Sequence, residues 1–245
     1  MDELQGTVRK WEQRIDALVS RRDTMVEMQN DYDGFMHGVK EVLKAKNRPD
    51  GLRGIHGAVA ELVKVPAKVE IAIETALGGA LQHVVVGSEA EGREAISFLK
   101  RRQLGRATFL PLDVIRGRTV PDGERKILGS TPGFVGLGVD LISFDETYRP
   151  IFSSLLGHVV IAETLEDANR LAAKGQYRYR VVTLEGDVVN PGGSMTGGSQ
   201  QKKTTSLLGR QRLIDEMGAE IRNTEAGLET LKRTLPGSST ILRQI

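Results

Sequence analysis

The chain has 245 residues, a mass of 26.8 kDa, a formal net charge of +2 and no cysteine. That length allows one or two domains with real cores, and the missing thiols exclude a disulfide framework, a thiolate metal site and a cysteine nucleophile. With charge so nearly balanced, affinity for nucleic acid would have to come from local clusters of Lys and Arg. Charged residues reach 27% against 4% aromatic, the balance of long polar-surfaced helices. The Met-Asp-Glu start is unlike a signal peptide, and no apolar run approaches membrane-spanning length, so a cytoplasmic protein is expected.

From the N-terminus, a four-three alternation lines up Leu4, Val8, Trp11, Ile15, Leu18, Arg22, Met25, Gln29, Tyr32, Met36, Val39 and Leu43, ten of the twelve apolar. Between them lie mostly charged residues and Gln, as the seam of a two-stranded coiled coil requires. This predicts a helical arm over residues 1–46, about 60 Å long at a rise of ~1.5 Å per residue, stopped by Asn47-Arg48-Pro49-Asp50-Gly51. The pattern returns at Leu207, Arg210, Ile214, Met217, Ile221, Thr224, Leu228, Leu231 and Leu235 and breaks at Pro236-Gly237, giving a second arm over 205–235 and an unpatterned tail over 236–245. An amphipathic helix does not bury its stripe alone. The arms therefore pair as an intramolecular antiparallel coiled coil with a globular insert at its tip; packing of both helices on the insert is the alternative.

Within the insert, the pattern predicts strand over 54–65, helix over 66–82, strand over 83–87, helix over 89–103 and strand over 106–112. After a polar stretch at 116–133 the order recurs: strand over 134–144, helix over 146–156, strand over 158–162, helix over 164–174, strand over 178–184 and a last strand over 187–190. His83-Val84-Val85-Val86 matches His158-Val159-Val160-Ile161 at an offset of 75, and Arg106, Leu110 and Asp113 match Arg180, Leu184 and Asp187 at 74. The fold class is mixed α/β, as two related small subdomains over 47–128 and 129–204.

No Gly-x-x-x-x-Gly-Lys-Ser/Thr occurs, so there is no P-loop. The glycines at 133, 136 and 138 precede a strand rather than follow one and lack the dinucleotide-binding setting. His37, His56, His83 and His158 are isolated, and no catalytic constellation survives. Lys40, Lys44, Lys46 and Arg48 end the first arm, while Lys202, Lys203, Arg210 and Arg212 begin the second. Paired arms would bring these clusters together as a sequence-independent DNA surface, against the alternative of a solvated helix face neutralised by Glu41 and Asp50. Lys100, Arg101, Arg102 and Arg106 read as the solvated face of their helix.

The densest signal is Asn190-Pro-Gly-Gly-Ser-Met-Thr-Gly-Gly-Ser199. A phosphate cradle would lead straight into a helix, and a plain linker would need neither the apolar lead-in nor Met195. Close packing of backbone against another surface is the reading that remains.

Two helical arms, two related α/β subdomains and the run Gly192-Gly193-Ser194-Met195-Thr196-Gly197-Gly198, preceded by Val181-Val182-Thr183-Leu184-Glu185-Gly186, resemble the hinge domain of SMC proteins with its adjoining coiled coil, most closely a bacterial one. The resemblance covers residues 1–235. It implies a homodimer in which one subdomain of each chain pairs with the other subdomain of its partner, with Gly192, Gly193, Gly197 and Gly198 at the interface, where Met195 would be a soft plug. It also implies that Lys202 and Lys203 belong to the basic region that contacts DNA, to which the charge clusters of the paired arms add Lys44, Lys46, Arg48 and Arg210. The family's ATP- and Mg-binding heads and their kleisin partner lie outside this sequence, so a non-enzymatic, cofactor-free, nucleoid-associated module of chromosome condensation and segregation is expected. The alternative is an α/β enzyme or nucleotide-binding domain with a coiled-coil insertion.

Overall fold

The computed structural model describes residues 2–46, 48–49, 51–199 and 206–234, which form two compact units. Of the described residues, 2–33 and 210–234 belong to one and those within Gly34–Gly209 to the other.

The first unit is a helix pair. Helix α1 (Asp2–Asn30) runs antiparallel to α8 (Leu207–Thr234). Met25, Met217, Ile221 and Leu228 are buried along the seam. Trp11 lies so close over Gly227 that a Cβ there would overlap its ring. Across the seam Lys232 pairs with Glu12 at 2.7 Å and Arg14 with Glu220 at 2.5 Å; both pairs are exposed and worth little individually.

The first arm is shorter than its pattern predicts. The chain leaves the helix at Asp31–Met36, where Tyr32 and Gly34 take φ of 55° and 89°. It resumes as α2 (His37–Lys46) inside the second unit. Val39 and Leu43 of α2 are buried there together with Val42, so the heptad phase of the first two reflects a core-facing stripe and not the seam. The Gln82 side chain holds the start of this segment, accepting from Met36 N at 2.7 Å and donating to Gly34 O.

The rest of the second unit is β1 (Ile55–Ala58), β2 (Val63–Lys64), α3 (Glu70–Leu77), β3 (Val84–Val86), α4 (Glu89–Arg102), β4 (Phe109–Pro111), α5 (Asp122–Gly129), β5 (Phe134–Leu137), β6 (Ser143–Phe144), α6 (Arg149–Leu156), β7 (Val159–Ala162), α7 (Leu165–Lys174), β8 (Arg180–Thr183), β9 (Val188–Val189) and β10 (Met195–Thr196). A sheet of order β1-β3-β4 and one of order β10-β9-β8-β7-β5 are joined by the pair β2-β6. The strands expected over 54–65 and 134–144 are each broken in two by a 3₁₀ turn, and the polar stretch at 116–133 contains α5.

The recurrence is real and begins one helix earlier than the sequence suggests: α2 packs on β1 as α5 packs on β5. Both first strands carry a bulge, between Ile55 and Gly57 and between Phe134 and Gly136. Each is preceded by a positive-φ glycine, Gly54 or Gly133, whose missing Cβ leaves room for an acidic side chain, Glu91 or Asp167, in the first turn of α4 or α7. Those helices start on capping residues Ser88 and Thr164, which accept from Glu91 N and Asp167 N.

The register corrects the sequence match. Val86 and Val84 pair with Ile55 and Ala58, whereas Ala162 and Val160 pair with Phe134 and Leu137, so β3 and β7 correspond at an offset of 76. The aligned His-Val tracts at 75 are one residue out of step, which in a strand is the wrong face. Leu112 N and Leu184 N donate to Val86 O and Ala162 O, so the following strands correspond at 72 and not 74. Helix α4 has 14 residues and α7 has 10, and this missing turn is the step from 76 to 72. In the joining pair, Lys64 faces Ser143, its equivalent at an offset of 79, which places a local two-fold axis between the halves. Phe144 stacks on Phe152 at 4.6 Å beside it, and a single core runs through both halves.

Candidate dimer interface and nucleic-acid surface

The glycine run is a hairpin at the rim of the larger sheet. Asn190 N donates to Ser194 O at 2.8 Å, Gly193 N to Asn190 O at 2.9 Å, and Gly192 N to Tyr177 O at 2.9 Å, closing a turn in which Gly192 and Gly193 have φ of 84° and 94°. The chain returns as β10, with Met195 opposite Val189 and Thr196 opposite Val188. Gly198, at φ 130°, donates to Asp187 Oδ1, and a Cβ on Gly197 would overlap that same carboxylate. Three of the four glycines therefore serve backbone conformations barred to most side chains, and the fourth makes room for Asp187 within its own chain. Gly192 and Gly198 also face open space.

Because Ser194 bonds to Asn190 across the hairpin, alternation turns the N–H and C=O of Met195 and Gly197 away from β9. Met195 is 61% exposed. In the smaller sheet, Thr108 O accepts from Val84 N and Leu112 N donates to Val86 O, so the backbone of Ala107 and Phe109 points away from β3. Strand β4 is the last of its sheet, with Pro111 in it, as suits an edge. Where the second half adds β9 and β10 outside β8, the first half adds nothing outside β4.

The expected DNA-contacting residues are distributed unevenly. Lys44, Lys46 and Arg48 lie at and just beyond the end of α2, Lys44 half-buried and the other two exposed. Lys46 Nζ donates to His56 O at 2.5 Å. Its charge also favours ionised Glu61, whose carboxyl burial pushes above the ordinary range against the opposing Ala58 N–H and Lys46. Arg210 belongs to the helix-pair unit and is 6% exposed, its Nη1 donating to Met28 O at 3.2 Å. It offers no outward charge, so its place in the expected basic surface is corrected to a buried one. Lys202 and Lys203 lie outside the described residues.

The structure adds a cluster that the sequence reading set aside. Lys100, Arg101 and Arg102 sit on the last turn of α4, the part of that helix by which it exceeds α7. All three are exposed, as is Arg106, and among the described residues none of the four has a carboxylate partner. The Arg102 guanidinium lies 4.9 Å from the Phe98 ring centre. Backbone atoms of Arg106 lie where a Cβ on Gly38 would be, 2.6 Å away at the nearest, so this tip adjoins the start of α2.

A duplicated α/β module inserted in sequence between two antiparallel helices, with outward-facing backbone on β4 and β10, is a hinge-type fold. The SMC proteins flexible hinge domain model matches residues 52–172. The chromosome partition protein Smc of Bacillus subtilis is 48% identical over 92% of this chain, and the match covers 19% of that protein. A crystal structure of an asymmetric dimer of the Geobacillus stearothermophilus SMC hinge domain superposes with TM-score 0.86 at 46% identity, covering 95% of this chain and 92% of that one. The Pyrococcus furiosus SMC hinge domain gives 0.55 at 30% identity, covering 80% and 96%. This chain belongs to the SMC hinge family, as the hinge with flanking helices of a bacterial Smc, and spans about one fifth of the length of the Smc relative it matches. The hinge itself is non-catalytic. Among the described residues no helix is long and apolar enough to cross a membrane.

Proposed function

We propose that this hinge joins two copies of the chain by strand addition, β10 of each copy extending the small sheet of the other at β4, so that two equivalent contacts close a ring. The observation that carries the reading is the outward-facing backbone of two terminal strands, β4 in one half of a duplicated fold and β10 in the other, where one half carries two strands more than the other. Exposed edges are hazards that natural proteins cover or use. The Geobacillus stearothermophilus SMC hinge domain forms a dimer, an asymmetric one in its crystal, and this supports pairing of two copies here. In the full-length protein such a dimer would hold two coiled-coil arms together for chromosome partition.

A proline at 195 tests this directly. Met195 N–H faces away from β9, so Met195→Pro removes no ladder bond within the chain but blocks an incoming strand. Sedimentation equilibrium should show the dimer dissociation constant raised at least tenfold with the far-ultraviolet spectrum retained. An unchanged dimer would refute edge pairing.

The second part of the reading is sequence-independent DNA binding, supported by the exposed cations on the last turn of α4, which among the described residues have no carboxylate partner; Lys44, Arg48, Lys202 and Lys203 are also proposed to contribute. Each phosphate that a cation neutralises contributes about 0.9 to the slope of log K against log salt. Reversing Lys100, Arg101 and Arg102 to Glu should therefore flatten that slope by about 2 to 3 without changing the dimer mass. An unaltered slope would locate the DNA surface elsewhere.

A further inference from the structure

We infer that Tyr177 is part of the association surface: its ring meets the second copy of the chain beside β10. The inference rests on the edge-pairing reading. In the first half the residue before Arg106 is Gly105, at φ 88°; the equivalent position at an offset of 72 is Tyr177, at φ 52°, following Gln176 at 54°. Tyr177 thus occupies the left-handed region where the other copy of the repeat uses glycine, a conformation uncommon for a bulky aromatic residue. Burial of the ring is not the reason for tolerating it, since Tyr177 is 43% exposed.

What the conformation achieves is placement. Tyr177 O accepts from Gly192 N at 2.9 Å, and the ring lies 3.5 Å from where a Cβ on Gly193 would be, so the ring borders the hairpin turn while staying partly exposed. Met195, 61% exposed, follows two residues later on the free edge. An aromatic ring and a methionine bordering unpaired backbone suit a partner strand and its side chains. The occupant is a second copy, because the same chain presents the other open edge at β4 and the apolar border is continuous with β10.

The test is the intact chain with Tyr177→Gly and Tyr177→Phe. Glycine keeps the backbone bond to Gly192 and relieves the positive φ, but removes the ring; phenylalanine keeps the ring. Tyr177→Gly is expected to keep its circular dichroism spectrum and raise the dimer dissociation constant at least tenfold, and Tyr177→Phe to stay within about threefold of the parent. Wild-type affinity in the glycine variant, loss of its fold, or an equal loss of affinity in the phenylalanine variant would each overturn the inference. If the parent chain is itself monomeric, the edge-pairing reading has failed first, so the two failures are distinguishable.

Discussion

Four glycines between Gly192 and Gly198 were legible in the sequence as a demand for special backbone, and the structure gives each its reason. Gly192→Ala meets no atom, but its φ of 84° should cost about 1 kcal/mol in urea unfolding. Gly197→Ala sets a methyl against the Asp187 carboxylate, and its loss should be largely recovered by Asp187→Ala, measured as a double-mutant cycle. Coupling near zero would mean the hairpin relaxes. Arg210 shows the converse: a cation on a heptad stripe looks the same in sequence whether its guanidinium turns outward or, as here, inward to Met28 O. Arg210→Met should therefore leave DNA affinity unchanged, and a several-fold loss in a binding titration would restore it to the contact surface.

Among the elements, long amphipathic helices and the strands β3, β7 and β8 were readable because periodicity and apolar runs persist over them. Three features were not. Helix α2 keeps the heptad phase of the arm although it belongs to the other unit, and only Tyr32 and Gly34 mark the break. The repeat register hid behind a one-residue slip that sequence matching favours and strand pairing forbids. Helix α5 lies in a polar stretch, and a tertiary latch holds it: Glu124 accepts from Tyr179 OH and pairs with Arg178 at 2.9 Å. Burial first, then the hydrogen bond and charge of Glu124, push the Tyr179 hydroxyl up to about 12 from 10.0. The unfolded chain loses this proton first. The stabilisation is thus complete below pH about 10 and declines as pH rises towards about 12. Urea midpoints across that range should fall more steeply in the parent than in Tyr179→Phe, and parallel curves would show that the latch does not titrate.

At the scale of the molecule, two related halves share one core about a local two-fold at Lys64 and Ser143, so the duplicated module packs as a single body with β4 and β10 at sheet edges. The glycine run signalled an interface in sequence; the missing strands outside β4 could not, because they are an absence visible only once both sheets are laid side by side. Residues 34–209 contain both edges, so that segment alone should fold and associate, with a cooperative melt and a dimer mass by light scattering; a folded monomer would move the association to the helices. The central claim is tested most directly by sedimentation equilibrium of the whole chain over a wide dilution range. Edge pairing at two sites predicts a mass of twice 26.8 kDa that persists on dilution, and a single species at 26.8 kDa throughout would contradict it.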